Sequence, residues 1–294
     1  MPLLLTGTPG PLLGCVETLI NELAASASHP APALQRFDAA TDDKAILNAV
    51  RDGELRAIVV IDEPLSCLHT LVETGYSPLE AVRVLTAAAA PLAAWAGRHV
   101  VRLRPDMTVH EAADAILGAM DLPPGVVPPA PNASALAMDS PAARISAMQA
   151  LVDEVVRPLF AAAAGMPSAV TWSRACLLWG DHPNEKLPRI IDLTGPARVL
   201  AYGPYFHLPT GSWTVCATLA FSPEAVGAPF AIELHGDVLL GRGRFKPPKA
   251  GVFTASFAAE IRSATIPNEI RLLNETGAID GEIGVDHIRL IPRG

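Results

Sequence analysis

The sequence predicts an α/β domain on a small parallel sheet, followed by an all-β sandwich. Three observations predict it. Helical periodicity alternates with short apolar strands up to residue 122, whereas after Gly165 the apolar period drops to two. Charge divides unevenly, with eight Lys and Arg against fifteen Asp and Glu in residues 1–122 and fourteen against fifteen in residues 123–294. Aromatic residues divide the other way: Phe37, Tyr76 and Trp95 are the only ones before residue 123, and twelve follow it. Five prolines within residues 123–131 mark the join. The expected organisation is an α/β domain over residues 1–122, a proline-rich linker over 123–139, an amphipathic connecting helix over 140–165 and the sandwich over 166–294.

Each element has a local cause. Leu3 to Leu5 reads as a strand, the turn-rich Thr6 to Pro11 as a loop, and Leu12 to Ala27 as a helix. Thr41 reads as an N-cap, with Asp42 and Asp43 suited to the positive end of a helix that runs to Asp52. Leu55 to Asp62 is apolar and β-branched, as in a strand buried on both faces. Pro64 opens a helix to Glu73, and Ser77-Pro78 caps one that runs to Gly97. His99 to Arg104 reads as a third strand and Thr108 to Met120 as a helix; helical crossovers make such a sheet parallel. From Ser140 to Ala164 a stripe of Ile145, Met148, Leu151, Val152, Val155, Val156 and Leu159 needs a cover, either a neighbouring domain or a second subunit in a homo-oligomer. Eight strands follow: Arg189 to Leu193, Arg198 to Tyr202, Ser212 to Phe221, Phe230 to His235, Val238 to Arg242, Val252 to Ala259, Glu269 to Leu273 and Gly284 to Leu290.

Several function classes fall away. The net charge of −8 supplies no basic footprint for nucleic acid. No apolar run reaches the ~20 residues of a membrane span. The opening Met1 to Gly7 lacks the basic and apolar stretches of a signal peptide, so the expected location is cytoplasmic. Cys15, Cys67, Cys176 and Cys216 form no Cys-x-x-Cys pair and are expected as reduced thiols. No Gly-x-Ser-x-Gly elbow, His-Glu-x-x-His or Gly-x-x-x-x-Gly-Lys-Ser/Thr loop occurs, so no catalytic residue and no cofactor is expected. Asp181, His182, Asn184 and Glu185, and Asp280, Glu282, Asp286 and His287, carry calcium-type oxygen ligands without the spacing of a dedicated loop, and no metal is expected.

Three segments resemble, in order, parts of a shortened P-loop sulfotransferase: Leu3 to Gly14 the strand, loop and helix start that hold the donor's 5′-phosphosulfate, Ile58 to Leu71 the strand and helix for its 3′-phosphate, and Arg102 to Pro123 the late strand, acidic turn and closing helix. That resemblance implies a phosphosulfate-donor site after the first strand. The charges depart from it: Pro9, Gly10 and Pro11 replace basic and hydroxyl residues, no cation precedes Arg36, and Asp62 with Glu63 stands where the family has an arginine. A carboxylate ~5 Å from a phosphate repels it by roughly 1 to 3 kcal/mol. The implied reading is a noncatalytic relic; the alternative is a divergent sulfo- or glycosyltransferase using Asp62 and Glu63 as base or metal ligand.

Leu193 to Thr214, Glu269-Ile270-Arg271 and the final run Gly281 to Leu290 resemble a jelly-roll carbohydrate-binding domain of the kind attached to bacterial polysaccharide enzymes. The implied partner is a glycan or a polysaccharide-synthesis protein, and the implied role is an accessory one in cell-surface glycan production. A purely structural assembly subunit is the remaining alternative. Sugar faces stack on aromatic rings while their hydroxyls need hydrogen-bonding neighbours. Tyr202, Tyr205, Phe206, His207 and Trp213 fall within twelve residues and are the candidate glycan-binding residues, with Arg242 and Arg244 of a basic run between strands.

Overall fold

The structure is a computed structural model that describes residues 3–28, 32–37, 44–95, 99–123 and 148–293. The chain divides into two compact units, Met1–Met166 and Pro167–Gly294. The expected linker falls almost wholly outside the described residues, as do the first turns of the helix expected from Ser140 and the cap expected at Thr41.

The first unit is an α/β fold with strands β1 (Leu3–Gly7), β2 (Leu34–Arg36), β3 (Arg56–Val60) and β4 (Val100–Leu103), all parallel, in the order β2-β1-β3-β4. Helices α1 (Pro11–Ser26), α2 (Lys44–Arg51), α3 (Pro64–Glu73), α4 (Pro78–Leu92) and α5 (Val109–Ala119) connect and cover it. Strand β2, Leu-Gln-Arg, is polar and sits at the sheet edge, which explains why apolar patterning misses it. Two capping boxes start α4 and α5, Ser77 with Glu80 and Thr108 with Glu111. Helix α4 ends at Leu92 rather than Gly97, one residue beyond Pro91. The chain leaves through i→i+3 bonds from Ala93, Ala94 and Trp95.

Helix α6 spans residues 148–163 and contains a π-helical turn, Val152–Val156, before the regular Arg157–Ala163 segment. Pro158 has no N–H for the carbonyl of Glu154, and the wider turn carries the chain past its ring. Val152, Val155, Val156 and Leu159 are fully buried, and α6 packs on α3 and α4. The helix expected to connect the domains is therefore part of the first unit. Its stripe is covered by α3 and α4, and Arg102 of β4 donates to its terminal carbonyl at Ala163 over 2.8 Å.

The second unit is a jelly-roll-type sandwich of two antiparallel sheets. Its strands are β5 (Val170–Ser173), β6 (Leu178–Trp179), β7 (Ile191–Asp192), β8 (Arg198–Phe206), β9 (Gly211–Phe221), β10 (Phe230–His235), β11 (Leu239–Phe245), β12 (Gly251–Ile261), β13 (Asn268–Asn274) and β14 (Glu282–Pro292). One sheet runs β11-β10-β13-β8-β6, the other β12-β9-β14-β5 with β7 also on β14. Strand β9 alternates with Trp213, Val215, Ala217, Leu219 and Phe221 inward. Trp172 of β5 meets Phe206 of β8 edge to face across the core, ring centroids 6.0 Å apart. Glycines 241 and 243 of β11 alternate inward because β12 lies against them; a Cβ at Gly241 would fall 2.5 Å from the Ala258 carbonyl oxygen.

Leu159→Ala in a fragment ending at Met166 is expected to cost about 2–5 kcal/mol, the usual loss for a fully buried leucine. Urea denaturation followed by circular dichroism measures it. A loss under about 1 kcal/mol would mean that α6 is not part of that unit's core.

Candidate functional site

The outward face of the β11-β10-β13-β8-β6 sheet carries a row of polar side chains aligned by register. Tyr202 on β8 lies opposite Arg271 on β13, Arg271 opposite Glu233 on β10, and Glu233 opposite Arg242 on β11. The next row places Pro204 opposite Glu269 and Glu269 opposite His235. Directly opposed residues on one face have Cβ atoms about 5 Å apart, so opposite charges there attract.

Two carboxylates anchor the face. Glu233 is 9% exposed and Glu269 8%. Glu233 Oε1 lies 3.1 Å from Arg242 Nε, and its Oε2 lies 2.8 Å from His235 Nε2. Glu269 Oε2 accepts from Arg271 Nε at 3.1 Å and Nη2 at 2.8 Å, and its Oε1 accepts from the Tyr205 hydroxyl at 2.9 Å. Glu275, beyond the end of β13, accepts from Arg242 at 2.6 Å and Arg244 at 2.8 Å. Three arginines thus meet three glutamates.

Tyr205 reaches this face through a bulge. Glu269 pairs with Pro204 and Asn268 with Phe206, so Tyr205 is the extra residue, and its φ of 68° is left-handed. Tyr205 and Tyr202 then meet edge to face, centroids 6.4 Å apart, and the Tyr202 hydroxyl accepts from the Asn184 N–H at 3.2 Å. Burial, and next the bond to Glu269, push the Tyr205 phenol up to about 12.

The other sequence candidates lie elsewhere. The bulge turns Phe206 inward, where it is fully buried against Trp172, so it is a core residue and not a sugar platform. Trp213 is also core: its place in the β9 alternation buries it, and its indole N–H donates to the Pro209 carbonyl at 3.1 Å. His207 lies off the face, its Nδ1 3.0 Å from the Ala264 carbonyl, and burial lowers its pKa. Arg242 and Arg244 do join the face, but from strand β11 rather than from a loop, and both are paired with glutamate. Glu233, His235, Glu269, Arg271 and Glu275 were missed. Their sequence signal is a polar pair two residues apart on each of three strands: Glu233 with His235, Arg242 with Arg244, Glu269 with Arg271. Asp181 is held by Arg198 at 2.6 Å. Among the described residues no group of three or more His, Cys, Asp or Glu is placed to hold a metal ion.

In the first unit the notable acid is Asp62, 5% exposed. The strand order β2-β1-β3 reverses direction between β1 and β3, and α/β sheets bind ligands in the crevice at that point. Asp62 fills it. Its Oδ2 accepts from the Leu12 N–H in the first turn of α1 at 2.7 Å, its Oδ1 from the Glu63 N–H at 2.7 Å, and its own N–H donates to Thr8 Oγ1 at 2.9 Å. A Cβ on Gly10 would lie 2.3 Å from that Oδ2, so glycine is required there. The carboxylate takes the position at a helix N-terminus that an anion would take. Glu63 is committed as well, since its side chain caps α3 through the Ser66 N–H at 2.7 Å.

No family model matches the sequence, and no curated protein matches it. Similar solved structures include the second CBM6 carbohydrate-binding module of Cellvibrio mixtus lichenase 5A in complex with cellotriose, at 13% identity and TM-score 0.28, covering 42% of this chain and 98% of that one. The C-terminal CBM6 of LamC from Zobellia galactanivorans is 14% identical with TM-score 0.26, over 42% of this chain and 98% of that one. The cleaved K1 adhesin domain of Lys-gingipain from Porphyromonas gingivalis is 11% identical with TM-score 0.30, over 43% and 99%.

Absorbance titration at 295 nm is expected to resolve one phenol ionising near pH 12, absent in Tyr205→Phe and shifted partway back in Glu269→Gln. The folded value is raised, so the neutral phenol's contribution to stability is present below the unfolded value of about 10 and lost as pH climbs toward 12. Coincident ionisation of all three tyrosines at the ordinary value would refute the placement of Tyr205.

Proposed function

We propose that the sandwich binds a neutral glycan on the outward face of the β11-β10-β13-β8-β6 sheet, and that the chain is a noncatalytic accessory protein of cell-surface glycan production. The observation that carries this is the row of Tyr202, Arg271, Glu233 and Arg242 on an open sheet face, held by carboxylates that are themselves nearly buried. Tyr202 and Tyr205 offer ring surface to the apolar face of a sugar. The guanidinium of Arg271, 42% exposed, keeps N–H groups free of Glu269 for hydroxyls. Each glutamate has lone pairs beyond those its neighbours use. The groups are fixed before any ligand arrives, which lowers the ordering cost of binding. Balanced charge favours a neutral chain: an acidic sugar would meet arginines already paired and the glutamates beside them.

The reading of the first unit as noncatalytic rests on Asp62. A donor phosphate would have to displace a buried carboxylate from the α1 terminus, and no cation precedes Arg36 to attract it. The sulfotransferase-like ancestry and a cytoplasmic location complete the proposal.

Two measurements test it. On a glycan array the full chain is expected to bind neutral hexose chains. Tyr202→Ala and Tyr205→Ala should each weaken binding about two- to tenfold, because an aromatic contact contributes ~0.5–1.5 kcal/mol. Phe206→Ala should instead cost about 3–5 kcal/mol of stability. Folded tyrosine variants with unchanged binding would remove this face from the site. Isothermal titration with adenosine 3′-phosphate 5′-phosphosulfate is expected to show no binding; a Kd near 1 μM, worth about −8 kcal/mol, would restore the enzyme alternative.

A further inference from the structure

A crevice of about 180 Å³ opens at the seam where the edge strands β11 and β12 of the two sheets meet, under the link that joins them. Leu219, Phe221, Phe245, Phe253 and Pro247 line it, with Lys246 among the lining residues. Phe221 is the hub of the ring cluster, with centroids 6.1 Å from Phe245 and 6.3 Å from Phe253. Phe245 is backed by Phe230, stacked at 5.9 Å. The outer wall is preformed, because Pro247 is buried and its carbonyl accepts from the Gly227 N–H at 2.9 Å.

The lining decides the ligand chemistry. Pro247 and Pro248 have no N–H and the phenylalanine rings carry no polar atom, so apart from Thr254 and Lys246 the lining side chains offer little to the many hydroxyls of a sugar. It suits an arene: an apolar cavity of about 150 Å³ holds a benzene ring, and surrounding rings favour edge-to-face packing. Among the described residues Lys246 makes no ion pair and is exposed, in contrast to Arg242 and Arg244 on the same strand run. A free ammonium beside an aromatic crevice complements a carboxylate. We propose that this crevice is a second binding site, for a small aryl carboxylate whose ring enters between Phe245 and Phe253 and whose carboxylate pairs with Lys246. It is separate from the glycan face, since its residues come from the sandwich seam.

The probe is 3-phenylpropionate, with 3-phenylpropan-1-ol as its uncharged counterpart, on the full chain by saturation-transfer and backbone-amide NMR. A ligand of about eleven heavy atoms in a small pocket is expected to bind with a Kd of about 1 mM, moving the Phe245 and Phe253 amides. Ala255→Leu, which extends a lining side chain into the space, should abolish both ligands' binding while the melting temperature holds. Lys246→Gln should lower the preference for the acid over the alcohol by about threefold, the worth of one exposed ion pair. No transfer to the wild type at about ten times that Kd, transfer that survives Ala255→Leu, or an acid-to-alcohol ratio unchanged in Lys246→Gln would each overturn the proposal.

Discussion

Glu233 and Glu269 stand almost buried on the outward face of a sheet, and a buried carboxylate without partners costs several kcal/mol. The composition of the face follows from that constraint. Partners must lie within reach on the same face, either two residues along the same strand or directly opposed on the next one. Arg271 meets Glu269 and His235 meets Glu233 along their own strands, while Arg242 reaches Glu233 from the neighbouring one. Arg242 also meets Glu275, and Glu275 in turn holds Arg244. The result is a connected network whose geometry is set before any ligand arrives.

The first unit applies the same rule with the signs reversed. A helix N-terminus in an α/β crevice presents unpaired N–H groups and a positive dipole, which together call for an anion. Here the anion is internal. Pro11 at the first helical position needs no acceptor, Leu12 finds one in Asp62, and Gly10 leaves room for it. A segment that resembles a phosphate loop is thereby a closed hydrogen-bonded corner, and the carboxylate that looks misplaced in the sequence is the group that completes it.

Much of the fold was legible because its signals are local. The capping residues Ser77 and Thr108, the apolar run of β3 and the alternation of β9 each announce an element within a dozen residues. The polar face was legible only in part, for two physical reasons. Strand β10 pairs with β13, about forty residues away, so alternation can assign Glu233 and Arg271 to polar faces without showing that they are opposed. Parity also breaks at a bulge. Regular alternation from Tyr202 through Pro204 would put Phe206 outward with them; the extra residue at Tyr205 reverses this, sending Phe206 to the core and Tyr205 to the face. Gly203-Pro204 marks an irregularity in that stretch, but not which residue is extra, since Tyr205 takes a left-handed φ that is unusual for anything but glycine, asparagine or aspartate.

The Gly-Arg-Gly-Arg-Phe run of residues 241–245 shows how one strand sets both surfaces of the sandwich. Strand β12 crosses the inner side of β11 so closely that glycine is required at 241, and at 243 a Cβ would press on the Phe257 ring at 3.1 Å. Two-residue periodicity then forces Arg242 and Arg244 outward, where the glutamates of the face require them. At residue 245 the inward position changes from glycine to phenylalanine. A ring now stands between the edges of the two sheets, and the seam opens beside it into the crevice lined by Phe221 and Phe253. The polar face and the aromatic crevice are thus opposite consequences of one alternation, so a strand slip of a single residue would remove both at once.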